Sequence, residues 1–241
     1  MIDLHCHILP GVDDGADSMD TALSMAAMAA RSGVETIVTT PHCNTRDRRK
    51  NYRSRELEAR FGELIDALEH WRIPVRLAPG AEVLVRGEME PLLEQELLMP
   101  LAGSRYLLVE FYFDEIPSEI TRQLRLISRY GYVPLIAHPE RYFCVQDEPG
   151  LVRQWISMGC AAQINKGSVL GSLGEGAYQT AELLLNRGLC HALASDAHHY
   201  RYRSPDLDGL VSELEQRFPR LDIDRLLQRN PARILADREI R

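Results

Sequence analysis

Seven short apolar runs, at residues 2–5, 36–40, 75–78, 106–111, 133–137, 161–164 and 191–194, each end in polar residues and are separated by stretches long enough for helices. Nothing else in the sequence restricts the fold as tightly. Runs this short have strand length, and a strand that returns through a helix pairs in parallel by a right-handed crossover. About seven such βα units favour closure into an α/β barrel, with an open doubly wound sheet as the alternative. The helices carry their own punctuation. Ser18 can cap a helix running to Gly33, and Pro117 suits a first turn ahead of residues 120–130 and Gly131. Further helices are expected over residues 53–71, over 151–158 before Gly159, and over 176–187 before Gly188.

A chain of 241 residues is long for one domain but ordinary for a barrel. No low-complexity segment, linker or close repeat divides it, so residues 1–241 are expected to form a single domain. At 45% apolar and 26% charged residues, a core forms without staples. A net charge of −7 excludes a general nucleic-acid or anionic-membrane surface, which would need clustered basic charge. Five cysteines without a C-x-x-C pair fit reduced thiols in the cytosol. The start of the chain lacks the basic and apolar regions of a secretory signal, and no apolar stretch approaches membrane-spanning length. A cytoplasmic protein with no membrane insertion is therefore expected.

The chemistry lies in where the runs end. His5 and His7 close the first run, and their spacing of two puts both imidazoles on one side of an extended chain. The loop Gly11-Val12-Asp13-Asp14-Gly15 follows, from which Asp14 or Asp13 can reach the same place. Later runs deliver His42, Glu82, Glu110, His138, Asp196 and His198 at or just beyond their C-terminal ends, the rim where barrel enzymes build their sites. A lone histidine or glutamate there is more often a solvated or core residue, and that reading is kept for His70, His191 and His199. Coincidence at six strand ends argues for metal ligation by the others.

One divalent ion takes about four to six ligands, so five histidines and four carboxylates imply two to three ions sharing a bridging carboxylate. Three divalent cations outweigh Asp14, Glu82, Glu110 and Asp196, leaving a positive site that suits a phosphate monoester dianion. Arg141 and Arg203 stand close enough in sequence to clamp phosphate oxygens, although surface ion pairs are the ordinary role of such residues. Arg141 is the better placed, because Arg201 competes with Arg203. The expected reaction is in-line attack on phosphorus by a metal-bridging hydroxide, with Arg141 absorbing charge and Asp196 or a nearby histidine supplying a proton. Manganese, iron and zinc all suit mixed histidine and carboxylate ligation.

A different chemistry is suggested by His42-Cys43 followed by Arg49, which matches the H-C-x5-R pattern of thiol-based tyrosine phosphatases. The five intervening residues contain no glycine, whereas a loop whose amides converge on phosphate usually needs one to curve. The thiol mechanism is rejected on that ground. The basic residues Arg46, Arg48, Arg49, Lys50, Arg53 and Arg55 either guide an acidic partner toward the site or form a solvated loop and helix start.

The ordered set Ile2-Asp3-Leu4-His5-Cys6-His7, Val12-Asp13-Asp14-Gly15, His42, Gly80-Ala81-Glu82, Leu108-Val109-Glu110, Ile136-Ala137-His138-Pro139-Glu140-Arg141 and Ala194-Ser195-Asp196-Ala197-His198 resembles the polymerase and histidinol phosphatase (PHP) superfamily. Within it, the chain is most similar to the manganese-dependent protein-tyrosine phosphatases encoded with bacterial capsule and exopolysaccharide genes. The resemblance implies a distorted TIM-like barrel of seven βα units. It places His5, His7, Glu82 and Asp196 around one metal, Glu82, Glu110 and His138 around a second, and Asp14, His42 and His198 around a third. Arg141 and Arg203 match phosphate-contacting arginines. The implied substrate is a phosphotyrosyl protein, a bacterial tyrosine kinase with a tyrosine-rich tail that regulates capsule or exopolysaccharide synthesis. Histidinol phosphate or another small phosphomonoester is the alternative substrate, and a non-catalytic metal-binding module the alternative role.

Overall fold

The computed structural model describes residues 1–45 and 50–240. Its strands are β1 (Ile2–Cys6), β2 (Thr36–Thr39), β3 (His42–Cys43), β4 (Arg76–Pro79), β5 (Glu82–Leu84), β6 (Tyr106–Glu110), β7 (Val133–Ala137), β8 (Ala161–Asn165) and β9 (Ala192–Ala194). All pairings are parallel, in two sheets of order β1-β2-β4 and β3-β5-β6-β7-β8-β9. The helices are α1 (Met19–Arg31), α2 (Arg55–His70), α3 (Glu90–Glu94), α4 (Pro117–Arg129), α5 (Phe143–Asp147), α6 (Gly150–Ser157), α7 (Lys166–Val169), α8 (Glu175–Asn186), α9 (Asp208–Arg217) and α10 (Asn230–Leu235).

The seven expected runs are all present as strands. Two of them, those ending in β2 and β4, continue into a second short strand that the apolar pattern does not announce. Pro41 has no N–H for a ladder and separates β2 from β3. At Gly80, between β4 and β5, an added Cβ would lie 2.9 Å from a Leu101 methyl and 3.0 Å from one of Val38. Gly80 is thus closely packed where the chain steps from one sheet to the other. The two steps lie side by side, and they bring His42 into register with Glu82. The distortion of the barrel wall is thus what delivers two of the donors.

The wall returns to its start through a single parallel bridge between Cys6 and Ala197. Beside it, Asp196 N donates to His5 O and His7 N donates to Ala197 O, both at 2.8 Å. The buried Asp3 carboxylate fastens this seam, accepting from Ser195 Oγ at 2.5 Å and from Ser195 N at 3.0 Å. Alternation sorts the core into two sets. Leu4, Val38, Leu108, Leu135, Ala137, Ala161 and Ala192 fill the barrel interior, and Ile234 of α10 packs with them. Leu107, Val109, Ile136, Ala162 and Leu193 face the helices. The inward set continues upward into Glu110 on β6 and into Gln163 and Asn165 on β8. In β1 the register against β2 shifts between Asp3 and Cys6, a bulge that re-aims the strand end. Leu4 faces the interior before it, and His5 and His7 do so at the rim.

Ser18 caps α1 as expected, its hydroxyl accepting from Thr21 N at 3.2 Å, and Pro117 opens α4. The helix expected from residue 53 begins at Arg55, because Ser54 takes the cap and accepts from Leu57 N. The sequence reading missed the C-terminal helical region: α9, a π-helical turn at Arg225–Arg229, and α10. Asn230 anchors it beneath β9 by donating to His191 O at 2.9 Å. No helix among the described residues is long and apolar enough to cross a membrane.

Candidate metal centre

The structure brings all nine predicted donors to one rim. Their ligand atoms form overlapping groups, each within 4.8 Å: His5, His7 and Asp196; His5, Glu82 and His138; His42, Glu82 and Glu110; and His7, Asp14, His42 and His198. A cleft of about 550 Å³ runs along α4 beside Arg122, Arg125 and Arg129 and is lined by none of these donors. The donors are mostly buried, and the site opens at Asp14, more than half of whose side chain is exposed.

Proton positions follow from the hydrogen-bond chain that backs the site. Asp196 Oδ2 can only accept, so the Asn165 atom 2.5 Å away is its amide nitrogen. Asn165 Oδ1 must then accept from Gln163 Nε2 at 2.8 Å, which turns Gln163 Oε1 toward His5 Nδ1 at 2.9 Å. A neutral His5 therefore carries its proton on Nδ1 and presents a bare Nε2. His7 Nδ1 likewise donates to Asp13 Oδ2 at 2.8 Å, and His198 Nδ1 to the Asp196 carbonyl at 3.1 Å. The bare Nε2 atoms of His5 and His7 face each other at 3.1 Å, and the buried Nε2 of His198 has no hydrogen-bond partner. Converging lone pairs repel one another, and a cation between them turns that repulsion into ligation.

The carboxylates complete the donor set. Glu82 Oε1 lies 2.9 Å from His138 Nε2 and 3.2 Å from His5 Nε2, while its Oε2 lies 2.9 Å from His42 Nδ1 and 3.3 Å from His7 Nε2. One carboxylate thus faces four imidazoles, the placement a bridging ligand needs. Asp196 divides its oxygens: Oδ2 meets Asn165, Arg203 and Arg141, and Oδ1, which has no hydrogen-bond partner, faces His5 and His7. Burial and the adjacent Glu82 push the Glu110 carboxyl up to about 8. A divalent cation shared by the two would return Glu110 to its ionised form. Burial pulls the His5 and His7 rings down, but the Glu82 and Asp196 carboxylates around His5, and those of Asp13, Asp196 and Glu82 around His7, outweigh it and leave both raised, so a cation bound there would displace a proton. His138 has no such net support, and burial leaves it lowered, in the neutral form that ligation requires. Donor chemistry, bare nitrogens and crowded carboxylates all fit divalent metal ions.

The backbone bears part of the placement. His138 follows β7 and Asp196 follows β9, and both have positive φ, 34° and 49° respectively, in the sparsely populated left-handed region. The loop carrying Asp14 folds back over β1 so closely that a Cβ on Gly15 would lie 2.0 Å from the His7 carbonyl oxygen.

Between the two aspartates left open by the sequence, geometry assigns different places. Asp14 Oδ1 lies 3.5 Å from His42 Nε2 and its Oδ2 3.9 Å from His198 Nε2, inside the group. Asp13 stands behind it, accepting from His7 Nδ1, from His42 N at 2.9 Å and from Gly15 N at 2.9 Å. Asp13→Ala should therefore weaken metal binding by about 10- to 100-fold, because it frees one imidazole and the strand that bears another. Titrating metal into the stripped protein checks this.

Both predicted arginines reach the rim. Arg203 Nη2 lies 2.5 Å from Asp196 Oδ2 and Arg141 Nη1 3.6 Å from the same atom. The Arg141 guanidinium also rests on the Phe113 ring, 4.4 Å from its centroid.

The supporting residues were missed: Gln163, Asn165, and Asp3 at the seam. Polar residues at alternate positions of a strand whose other members are apolar are the signal that could have revealed Gln163 and Asn165. His191 accepts from Ala162 N at 3.2 Å, His70 ends α2, and His199 stacks on Tyr200 and Tyr202, all apart from the donor groups. Cys43 is fully buried, its thiol donates to Lys50 O, and burial pushes it up to about 12, which leaves no thiolate for nucleophilic attack. Arg46, Arg48 and Arg49, including the arginine of the H-C-x5-R pattern, lie outside the described residues.

Comparison with known proteins adds to this picture. Residues 1–236 match the family described as capsular polysaccharide synthesis, CpsB/CapC. The tyrosine-protein phosphatase YwqE of Bacillus subtilis is 36% identical over 218 residues, which cover 90% of this chain and 85% of that protein. The tyrosine-protein phosphatase CpsB of Streptococcus pneumoniae is 31% identical over the whole of both chains. A crystal structure from work on YwqE and CpsB, described there as metal-dependent tyrosine phosphatases, superposes with a TM-score of 0.92 at 34% identity, covering 100% of this chain and 96% of that one. The lactonase Lmo2620 of Listeria monocytogenes, at 12% identity and a TM-score of 0.63 over 99% and 95% of the two chains, shares the fold.

Proposed function

The chain belongs to the capsular polysaccharide synthesis family CpsB/CapC, and from that premise we propose that it is a metal-dependent protein-tyrosine phosphatase. Residues 1–241 would act as one cytoplasmic domain, and the substrate is a phosphotyrosyl protein, a tyrosine kinase governing capsule or exopolysaccharide synthesis. The observation that carries the reading is the convergence of bare histidine nitrogens and crowded carboxylates beneath two arginines.

Two to three divalent ions, manganese foremost, would be held by His5, His7, Asp14, His42, Glu82, Glu110, His138, Asp196 and His198. When bound, such ions supply an activated water and positive charge at phosphorus. The protein's own groups account for the rest. Asn165, Gln163 and Asp13 orient the His5 and His7 rings, so that each neutral ring turns its bare Nε2 inward. Arg141 and Arg203 at the rim bind the phosphoryl oxygens and take up the charge that grows on them. Tyrosine leaves as a phenolate whose conjugate acid has a pKa of about 10, so departure needs little help from a general acid.

The test compares a phosphotyrosyl peptide with histidinol phosphate, with added manganese and with chelator. Hydrolysis of the peptide should dominate, vanish on chelation and survive Cys43→Ser. Preference for histidinol phosphate would overturn the substrate assignment, and chelator-resistant activity lost in Cys43→Ser would overturn the metal mechanism.

A further inference from the structure

Lys166 follows β8 directly, is buried, and has no part in the reaction outlined above. Its ammonium donates to Ser204 O, to Ser204 Oγ at 3.3 Å and to Asp206 O at 2.9 Å. The three acceptors match its three protons, and all are uncharged oxygens. Burial pulls the ammonium down, and the nearby Asp3 and Asp206 carboxylates offset this only in part, so stability alone would be served as well by an apolar side chain. The location of the acceptors explains the lysine.

All three belong to the segment immediately after Arg203. That arginine has a φ of 45°, left-handed backbone that a side chain of this size adopts only when its surroundings impose it. Two pins flank it. His198 N donates to Arg203 O at 2.9 Å, and Lys166 holds the next carbonyl, that of Ser204. Between the pins the guanidinium is delivered to Asp196 Oδ2. The adjoining Arg201 and Tyr202 are exposed and tied back to His199, which accepts from Arg201 N at 3.0 Å and stacks on Tyr202, while Pro205 and Leu207 are buried further on.

We propose that Lys166 is a positioning residue, which clamps the Ser204–Asp206 backbone so that Arg203 is held over the phosphate subsite. This rests on the phosphatase reading. Strand β8 then lends no donor to the centre. Its end instead holds three different groups in place: Gln163 the His5 ring, Asn165 the Asp196 carboxylate, and Lys166 the arginine loop.

The experiment makes Lys166→Met and Lys166→Arg in the metal-loaded protein, each in the wild-type and the Arg203→Gln background. It reads kcat/KM with an aryl phosphate, the Ki of inorganic phosphate, metal content, and the rate of tryptic cleavage after Arg201 and Arg203. Lys166→Met should lower kcat/KM by about tenfold, the low end expected for an outer-shell support, and raise the phosphate Ki to a similar extent at full metal content. In the Arg203→Gln background the same change should cost less than about twofold, because the two residues act as one unit. Lys166→Arg should recover most of the activity, and trypsin should cut the Met variant's loop about ten times faster. Equal losses in both backgrounds, activity falling in step with metal content, or unchanged tryptic cleavage would each overturn the proposal. If Lys166→Met does not fold, Lys166→Gln is read in the same cycle. A wild-type protein inert toward aryl phosphates would count against the phosphatase reading, while tryptic cleavage would still decide whether Lys166 holds the loop.

Discussion

Glu82→Gln is expected to reduce turnover of a phosphotyrosyl peptide by about a thousandfold and to lower the metal content of the purified protein. Supports behind a metal site are typically worth about 10- to 100-fold. Glu82 stands in front of those supports, with both oxygens facing histidine nitrogens, two imidazoles on each. Glutamine has nearly the same shape but removes one negative charge, and it turns an N–H₂ group toward nitrogens that have lone pairs to offer. It cannot bridge two cations. Elemental analysis alongside steady-state kinetics checks this, and a variant with full metal content and near-normal turnover would remove Glu82 from the centre.

Arg141→Gln should lower kcat by about 10²- to 10³-fold, the usual cost of losing one preorganised charge donor at a developing oxyanion, while leaving metal content unchanged. Arg141 lies 3.6 Å from Asp196 Oδ2, too long for a strong ion pair, and its orientation comes largely from the Phe113 ring beneath it. Its guanidinium is therefore available to an incoming phosphate. The expected signature is a large fall in kcat together with a raised Ki for inorganic phosphate. A fall explained wholly by lost metal would instead make Arg141 a structural partner of Asp196.

The convergence of the candidate donors was readable because two periodicities coincide with one rule of architecture. Apolar runs locate the strands, parallel pairing aligns their C-terminal ends, and donor-type residues at those ends must then meet. His5, Glu110, His138 and Asp196 were found in this way. The division of labour between Asp13 and Asp14 was not readable, because neighbouring aspartates in a tight loop differ only in which way each points. The extra strands β3 and β5 were hidden for a related reason. They are two and three residues long, too short for a period, and each follows a step at Pro41 or Gly80 where the chain passes to the other sheet. Lys166 was overlooked because its partners are backbone carbonyls about 40 residues away, which no local pattern of side chains announces.

The seam between β1 and the Ser195–Ala197 segment also governs when the protein can begin to work. Asp3 and Ser195 are 192 positions apart, yet their contact secures the edge on which His5, His7 and Asp196 meet. A chain still being synthesised holds its first donors long before the last are made. Loops of this length close late and slowly, so metal capture should wait for the Ser195–Ala197 segment to dock rather than begin when the first donors are made.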